Sequence, residues 1–510
     1  MSKQTTMLIV LDGFGENQET DGNAIYNAKK PNIDNLMTIC PTASIRASGE
    51  AVGLPEGQMG NSEVGYMNIG AGRIVSQNLT KITKSIEEGD FFSIKEFADA
   101  IEKCKKNNKK LHIMGLLSDG GVHSHERHLY ALLELAKRKG MDDVYVHCFM
   151  DGRDTLPASG EGYLQKLEEK MKEKDIGKIA TVCGRFYSMD RNKRWDRTEK
   201  SYNALVYGKG KKQPSAIQAI ERSYQQEVFD EFVVPTVICN GNKPIAKIED
   251  GDTVIFYNFR PDRAIQITRA LVDPEFNEFK TEKMNLNFIS MTEYDNTIPN
   301  VKAAFKPEKI KNTFGEYISH KKLKQLRITE TEGNSHIITF FNCGREKKFT
   351  GEDRIIVHSP SVENYDMKPE MSAYEITDKA IEAIGQQKYD CILMNYANCD
   401  LVGHTGNMMA EEKAIEVVDE CIGRITNALK KQGGICLITS ANGNAEQMID
   451  HKTGEPFTSH TTNTVPLILF GMENVKLEDG TLCDIAPTLL NIMNVDKPKE
   501  MTGQSLLIKS

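Results

Sequence analysis

The feature that most constrains this chain is a series of short apolar runs, each closed by polar or reactive residues. They are MLIVLD (7–12), LHIMGLLSDGG (111–121), VYVHCFMDGRD (144–154), KIATVCG (178–184), TVIFYNF (253–259), NFISMT (287–292), CILMNYA (391–397), ICLITSA (435–441) and VPLILFG (465–471). Helical patterns separate them, among them 125–139 and 411–430. Continuous rather than alternating hydrophobicity marks strands buried on both faces, and interleaved helices supply the cover. The fold class is therefore α/β, built on parallel sheets. Ligands of such sheets bind beyond the carboxyl ends of the strands, so the residues closing each run are the site candidates.

At 510 residues the chain exceeds one compact core, and two large domains are expected. A net charge of -8 argues against nucleic acid as a partner, because phosphate contacts need a basic excess. No apolar run approaches the roughly 20 residues needed to span a bilayer, so no membrane partner is expected. MSKQTT leads into the first apolar run without the pattern of a signal peptide. The 11 cysteines include no CxxC pair, which suits free thiols in a reducing compartment. A cytoplasmic location is the expectation.

Ser62 lies in GQMGNSEVGY, flanked by glycines at 57, 60 and 65 that allow a backbone to fold closely around a small anion. A serine in such a turn is commonly a cap, and its hydroxyl is a poor nucleophile until a base or a metal activates it. Asp12 closes the first apolar run. Asp400 and His404 stand four apart in DLVGHTGN, a spacing that suits two ligands of one metal, and His460 precedes the last run. His123 and His125 follow 111–121. Arg153, Arg185, Arg191, Arg260 and Arg263 gather at strand ends, where guanidinium forks bind carboxylate or phosphate bidentately.

In order along the chain stand DGFG, GNAI, GLPEGQMGNSEVG, NIGAGR, GLLSDGGVHSH, DGRD, MDRNKRWDR, FYNFRPDR, QLRITETE, GEDR, SPSVENYDMKPEMSAYE, NYANCDLVGHTGN and SHTTNTVP. From about residue 6 to 507 this series resembles the cofactor-independent phosphoglycerate mutases of the alkaline phosphatase superfamily. The resemblance implies a monomeric enzyme of glycolysis and gluconeogenesis interconverting 2- and 3-phosphoglycerate with two manganese ions. It implies a phosphatase-like metal-binding domain from 1–76 and 311–510, and an inserted transferase domain from 77–310. Ser62 matches the serine that takes up and returns the phosphoryl group. Asp400, His404 and His460 match one metal site; Asp12 and Ser62 match part of the second. His123, Arg153, Asp154, Arg185, Arg191, Arg260 and Arg263 match the residues that orient the glycerate.

Three stretches depart from the family pattern. The motif expected to read TADHGNAE is TSANGNAE, so Ala441 and Asn442 replace an Asp–His ligand pair. Alanine cannot coordinate, and an amide oxygen is a weak, neutral substitute. Gly333 stands where a phosphate-binding lysine belongs, and Tyr66 where a histidine follows SEVG. One manganese site is thus complete and the other degraded, with Asp450–His451 a conceivable source of replacement ligands. Three readings stay open: a mutase with impaired or no transfer that still binds phosphoglycerate, a working mutase that tolerates the changes, and a phosphatase or phosphomutase of altered specificity.

Overall fold

The computed structural model describes residues 4–509. The chain divides into two compact units, one formed by both chain ends (up to Gln77 and from Lys309) and one spanning Asn78–Glu308. Both are α/β.

In the split unit an eight-stranded sheet runs in the order Glu352–Val357, Gln325–Glu330, Cys391–Tyr396, Thr6–Leu11, Ile435–Thr439, Val465–Phe470, Thr42–Arg46, Gly480–Thr481. Thr6–Leu11 is fully buried because both its faces are covered. Met7, Ile9 and Leu11 join a core that holds Ile422 and Ile425 of helix Met408–Gln432. Leu8 and Val10 join a second core with Val64 and Ile69 of helix Ser62–Ala71. Each such aliphatic side chain contributes roughly 1.5–3 kcal/mol by leaving water, which is why the run reads as continuously apolar.

The inserted unit has a sheet ordered Val301–Phe305, Asn287–Thr292, Thr253–Phe256, Leu111–Leu116, Val144–Met150, Lys178–Gly184, Thr236–Asn240, Lys211–Gln213. Its strands from Val301–Phe305 to Lys178–Gly184 are parallel. Helix Glu126–Arg138 opens at His125, whose side chain accepts from the Arg127 amide.

The sheets are not wholly parallel. Val465–Phe470 runs antiparallel to Ile435–Thr439, with Cys436 opposite Phe470. Its beginning therefore lies at the sheet edge where the parallel strands end, and this brings the segment before it, carrying His460, to the same edge as Asp12 and Asp400. Several strands also stop short of the apolar runs, at Leu116, Met150 and Phe256, and release polar loops.

Candidate functional site

The split unit gathers its site where strands give way to loops. Asp400 sits in helix Asn398–Gly403 directly after Cys391–Tyr396, and His404 caps that helix one turn on. Positions i and i+4 share a helical face, so both point the same way. His460 Nε2 lies 3.1 Å from Asp400 Oδ1 and 3.1 Å from His404 Nε2, while His404 Nε2 is 3.5 Å from Asp400 Oδ2. The opposite nitrogens are anchored: His404 Nδ1 meets Thr458 O at 2.7 Å and His460 Nδ1 meets Gly60 O at 2.9 Å. Carbonyl oxygens only accept, so both rings carry hydrogen on Nδ1, and in the neutral form both Nε2 lone pairs face one another and the carboxylate. That is the donor arrangement of a divalent metal site with its supporting hydrogen bonds. Burial opposes ionisation of Asp400, yet the two histidines hold its carboxyl well below the usual range. Among the described residues, Asp400, His404 and His460 form the one group of three or more such side chains whose ligand atoms close together, within 4.8 Å. Gly13 allows the approach: at φ 82° it brings its chain so near that a Cβ would stand 2.6 Å from the Asp400 amide nitrogen.

Asp12 and Ser62 are arranged differently. Ser62 is the first residue of its helix, while Asn61 provides the cap by accepting from the Val64 amide. The Ser62 hydroxyl faces Asn442 Oδ1 at 3.3 Å, and Asn442 Nδ2 donates to Asp400 Oδ1 at 2.9 Å. Asp12, fully buried, accepts the Tyr66 phenol on Oδ1 at 2.7 Å. On Oδ2 it accepts Asn395 Nδ2 at 2.8 Å and His336 Nδ1 at 3.2 Å. Burial and the Asp12 charge push the Tyr66 phenol well above its ordinary pKa, so it stays a donor. For His336, burial works against the charged form, but Asp12 outweighs it and the pKa is raised. Ala441 is fully buried in the apolar core. Of these residues Ala441 offers no ligand atom, and the side chains of Asp12, Ser62 and Asn442 are engaged in the hydrogen bonds above. Asp450 accepts from the Lys452 amide in a turn, and His451 is exposed.

In the inserted unit, Arg185 is buried and donates to Asp151 Oδ1 and Asp154 Oδ2, both at 2.6 Å. Arg191 donates to Asp262 Oδ2 at 2.7 Å, and Arg260 Nε lies 3.3 Å from Asp262 Oδ1. Arg263 donates to the Met189 carbonyl; burial and the neighbouring Arg191, Arg185 and Arg153 lower its pKa. Arg153, more exposed, pairs with Glu231 at 3.6 Å. The His123 carbonyl accepts the Phe259 amide at 2.8 Å, and the imidazole is pushed down to about 4 by burial and by Arg185. So His123 is neutral near pH 7, among fixed guanidinium groups able to hold an anion.

Sequence reasoning missed His336, Asn395, Asp151 and Asp262. Asn395 was legible in principle, because it sits in a strand beside Thr6–Leu11 with Val10 as its register partner. His336 falls in a π-turn, Ser335–Phe340, whose period matches no simple pattern. Asp262 sits between two arginines of FRPDR and serves as the shared counter-ion of Arg191 and Arg260.

Fold and site together define a two-unit α/β protein with a donor set for a divalent metal in its split unit. Residues 82–296 match the family model described as BPG-independent PGAM N-terminus. A 2,3-bisphosphoglycerate-independent phosphoglycerate mutase of Acetivibrio thermocellus is 57% identical, covering 100% of both chains. One from Clostridium perfringens is 54% identical, again with 100% of both covered. The crystal structure of Leishmania mexicana phosphoglycerate mutase at low cobalt concentration is 31% identical, with a TM-score of 0.64 over 100% of this chain and 98% of that one. The chain belongs to the 2,3-bisphosphoglycerate-independent phosphoglycerate mutase family.

Proposed function

We propose that this chain retains the phosphoglycerate recognition of its family and one divalent-cation site, with phosphoryl transfer through Ser62 strongly reduced. Ser62 itself carries the reading. Its hydroxyl meets an amide oxygen, Asn442 Oδ1, which accepts a hydrogen bond but is far too weak a base to take the proton. Gly333 supplies no cation where the family has a lysine. Removal of a single electrostatic group of this kind costs about 10²–10³-fold in turnover, and here more than one is missing.

The cation-binding residues would be Asp400, His404 and His460, a donor set that accommodates manganese, and equally the cobalt named for the Leishmania structure. A divalent ion there would polarise a phosphoryl oxygen as a Lewis acid. Recognition is assigned to Arg153, Arg185, Arg191, Arg260 and Arg263, with His123 and Asp154 placed to exchange protons with the glycerate hydroxyls. The reading is completed by a monomer acting in the cytoplasm on small-molecule phosphoglycerate, without nucleic-acid or membrane partners. The net charge of -8 supports it, and no described helix is long and apolar enough to cross a membrane.

A second reading, a working mutase, is favoured by the 57% identity to a named mutase over the whole chain. The two part in one experiment. Calorimetry with 3-phosphoglycerate and manganese is expected to register binding, while an enolase-coupled assay runs about 10³-fold or more below an ordinary family member. Turnover of ordinary size would establish the second reading instead.

A further inference from the structure

Asp12 is held as though its ligand were already present. An ionised carboxylate offers about four lone-pair sites. The Tyr66 phenol takes Oδ1, and Asn395 and His336 take Oδ2. Tyr66 and Asp12 are wholly buried and Asn395 nearly so. We infer that the Tyr66 hydroxyl, with His336 and Asn395 bracing the other carboxylate oxygen, takes the place of a second cation at Asp12 and sets the cation number of this site at one. The inference rests on the one-cation reading above and gives it a cause.

Each donor is fixed by its element. Tyr66 stands one helical turn after Ser62 on helix Ser62–Ala71, so it shares the site-facing side of that helix. The His336 ring stacks on Tyr66 with centroids 5.5 Å apart, which holds both rings beside the carboxylate. Asn395 occupies room that depends on Gly333. A Cβ at 333 would lie 2.6 Å from Asn395 Nδ2, 2.9 Å from its Oδ1 and 2.4 Å from Thr329 Oγ1. The departures at 66 and 333 thus belong to one arrangement. One lone-pair site of Asp12 is left, on Oδ1 beside the buried Tyr66 hydroxyl, so a cation approaching there would meet the phenol. Returning the two ligands at 441 and 442 leaves those donors in place.

Manganese stoichiometry of the purified full chain, by equilibrium dialysis and elemental analysis, tests this. The protein as it is should bind one ion, and Ala441→Asp/Asn442→His should still bind one. Adding Tyr66→His or Tyr66→Phe to that pair should raise the number to two. The phenylalanine version keeps the ring volume while removing only the hydroxyl, so it serves even where the histidine version fails to fold. Two ions in Ala441→Asp/Asn442→His would overturn the role of Tyr66 while leaving the one-cation reading intact. One ion in a folded Tyr66→Phe triple variant would overturn it as well. Two ions in the unaltered protein would remove the reading beneath it.

Discussion

The Tyr66 hydroxyl donates to Asp12 Oδ1 at 2.7 Å, and both side chains are fully buried. A buried carboxylate that loses a donor bears most of the desolvation penalty of that lone pair, about 1–3 kcal/mol. Tyr66→Phe in the unaltered chain is therefore expected to lower stability by that amount without changing ring packing. Urea denaturation checks it. A midpoint unmoved by the substitution would mean that the hydrogen bond has no net value.

Gly333 gives a prediction of opposite character, because adding atoms should destabilise. Gly333→Ala places a methyl group against Thr329 and Asn395, and overpacking of this size costs about 1–3 kcal/mol. In the Asn395→Ala background much of that cost should disappear, since the crowded amide is gone. A double-mutant cycle measures the coupling. Strict additivity would show that the two positions do not share the space.

Arg185 and Arg260 should behave unlike one another. Truncating buried Arg185 leaves Asp151 and Asp154 without their shared cation, and breaking a buried pair typically costs about 3–5 kcal/mol. The Arg260 side chain is 50% exposed, so Arg260→Ala should change stability by less than about 1 kcal/mol. Its effect should appear in calorimetry as roughly tenfold weaker binding of 3-phosphoglycerate, or about 1.4 kcal/mol. Unchanged affinity would remove Arg260 from the recognition set.

The inserted unit should also lose stability in acid. His128 is fully buried and burial pushes it down to about 3; His123 is at about 4. Both folded values lie below the unfolded value of about 6.5. Between those limits the unfolded chain binds protons that the native chain does not, so stability falls as pH drops from about 6.5 and this contribution is flat above it. The slope is at most about 1.4 kcal/mol per pH unit for each group. Denaturation at about pH 7.5 and about pH 5 should show the loss, and His128→Gln should make it shallower. An identical pH response in His128→Gln would refute the role of this imidazole.

Strands buried on both faces were legible because nearly every position is apolar, as in Thr6–Leu11 and Cys391–Tyr396. Gln325–Glu330 was not read as a strand although it is buried throughout. Its Arg327 hides by donating to Gln325 and Asn342 and lying over Phe341, and such local pairing has no periodic signature. The Asp400–His404 spacing was visible because one helical turn fixes it. The partners of Asp12 were not, because Tyr66, His336 and Asn395 come from three elements joined only by tertiary packing. Gly60 and Gly65, read as making room for an anion, make room for protein: a Cβ would stand 2.0 Å from Ala47 O and 2.4 Å from Ala441 O respectively.

The central claim is that Ser62 lacks the means to become a nucleophile, and the intact mass of its tryptic peptide tests this most directly. The full chain is incubated with manganese and 3-phosphoglycerate, quenched in acid and digested. The account predicts an unmodified Ser62 peptide under conditions in which calorimetry registers binding of the ligand. A Ser62 peptide carrying one phosphoryl group as a major species would contradict it, and would show that transfer proceeds despite Asn442 and Ala441.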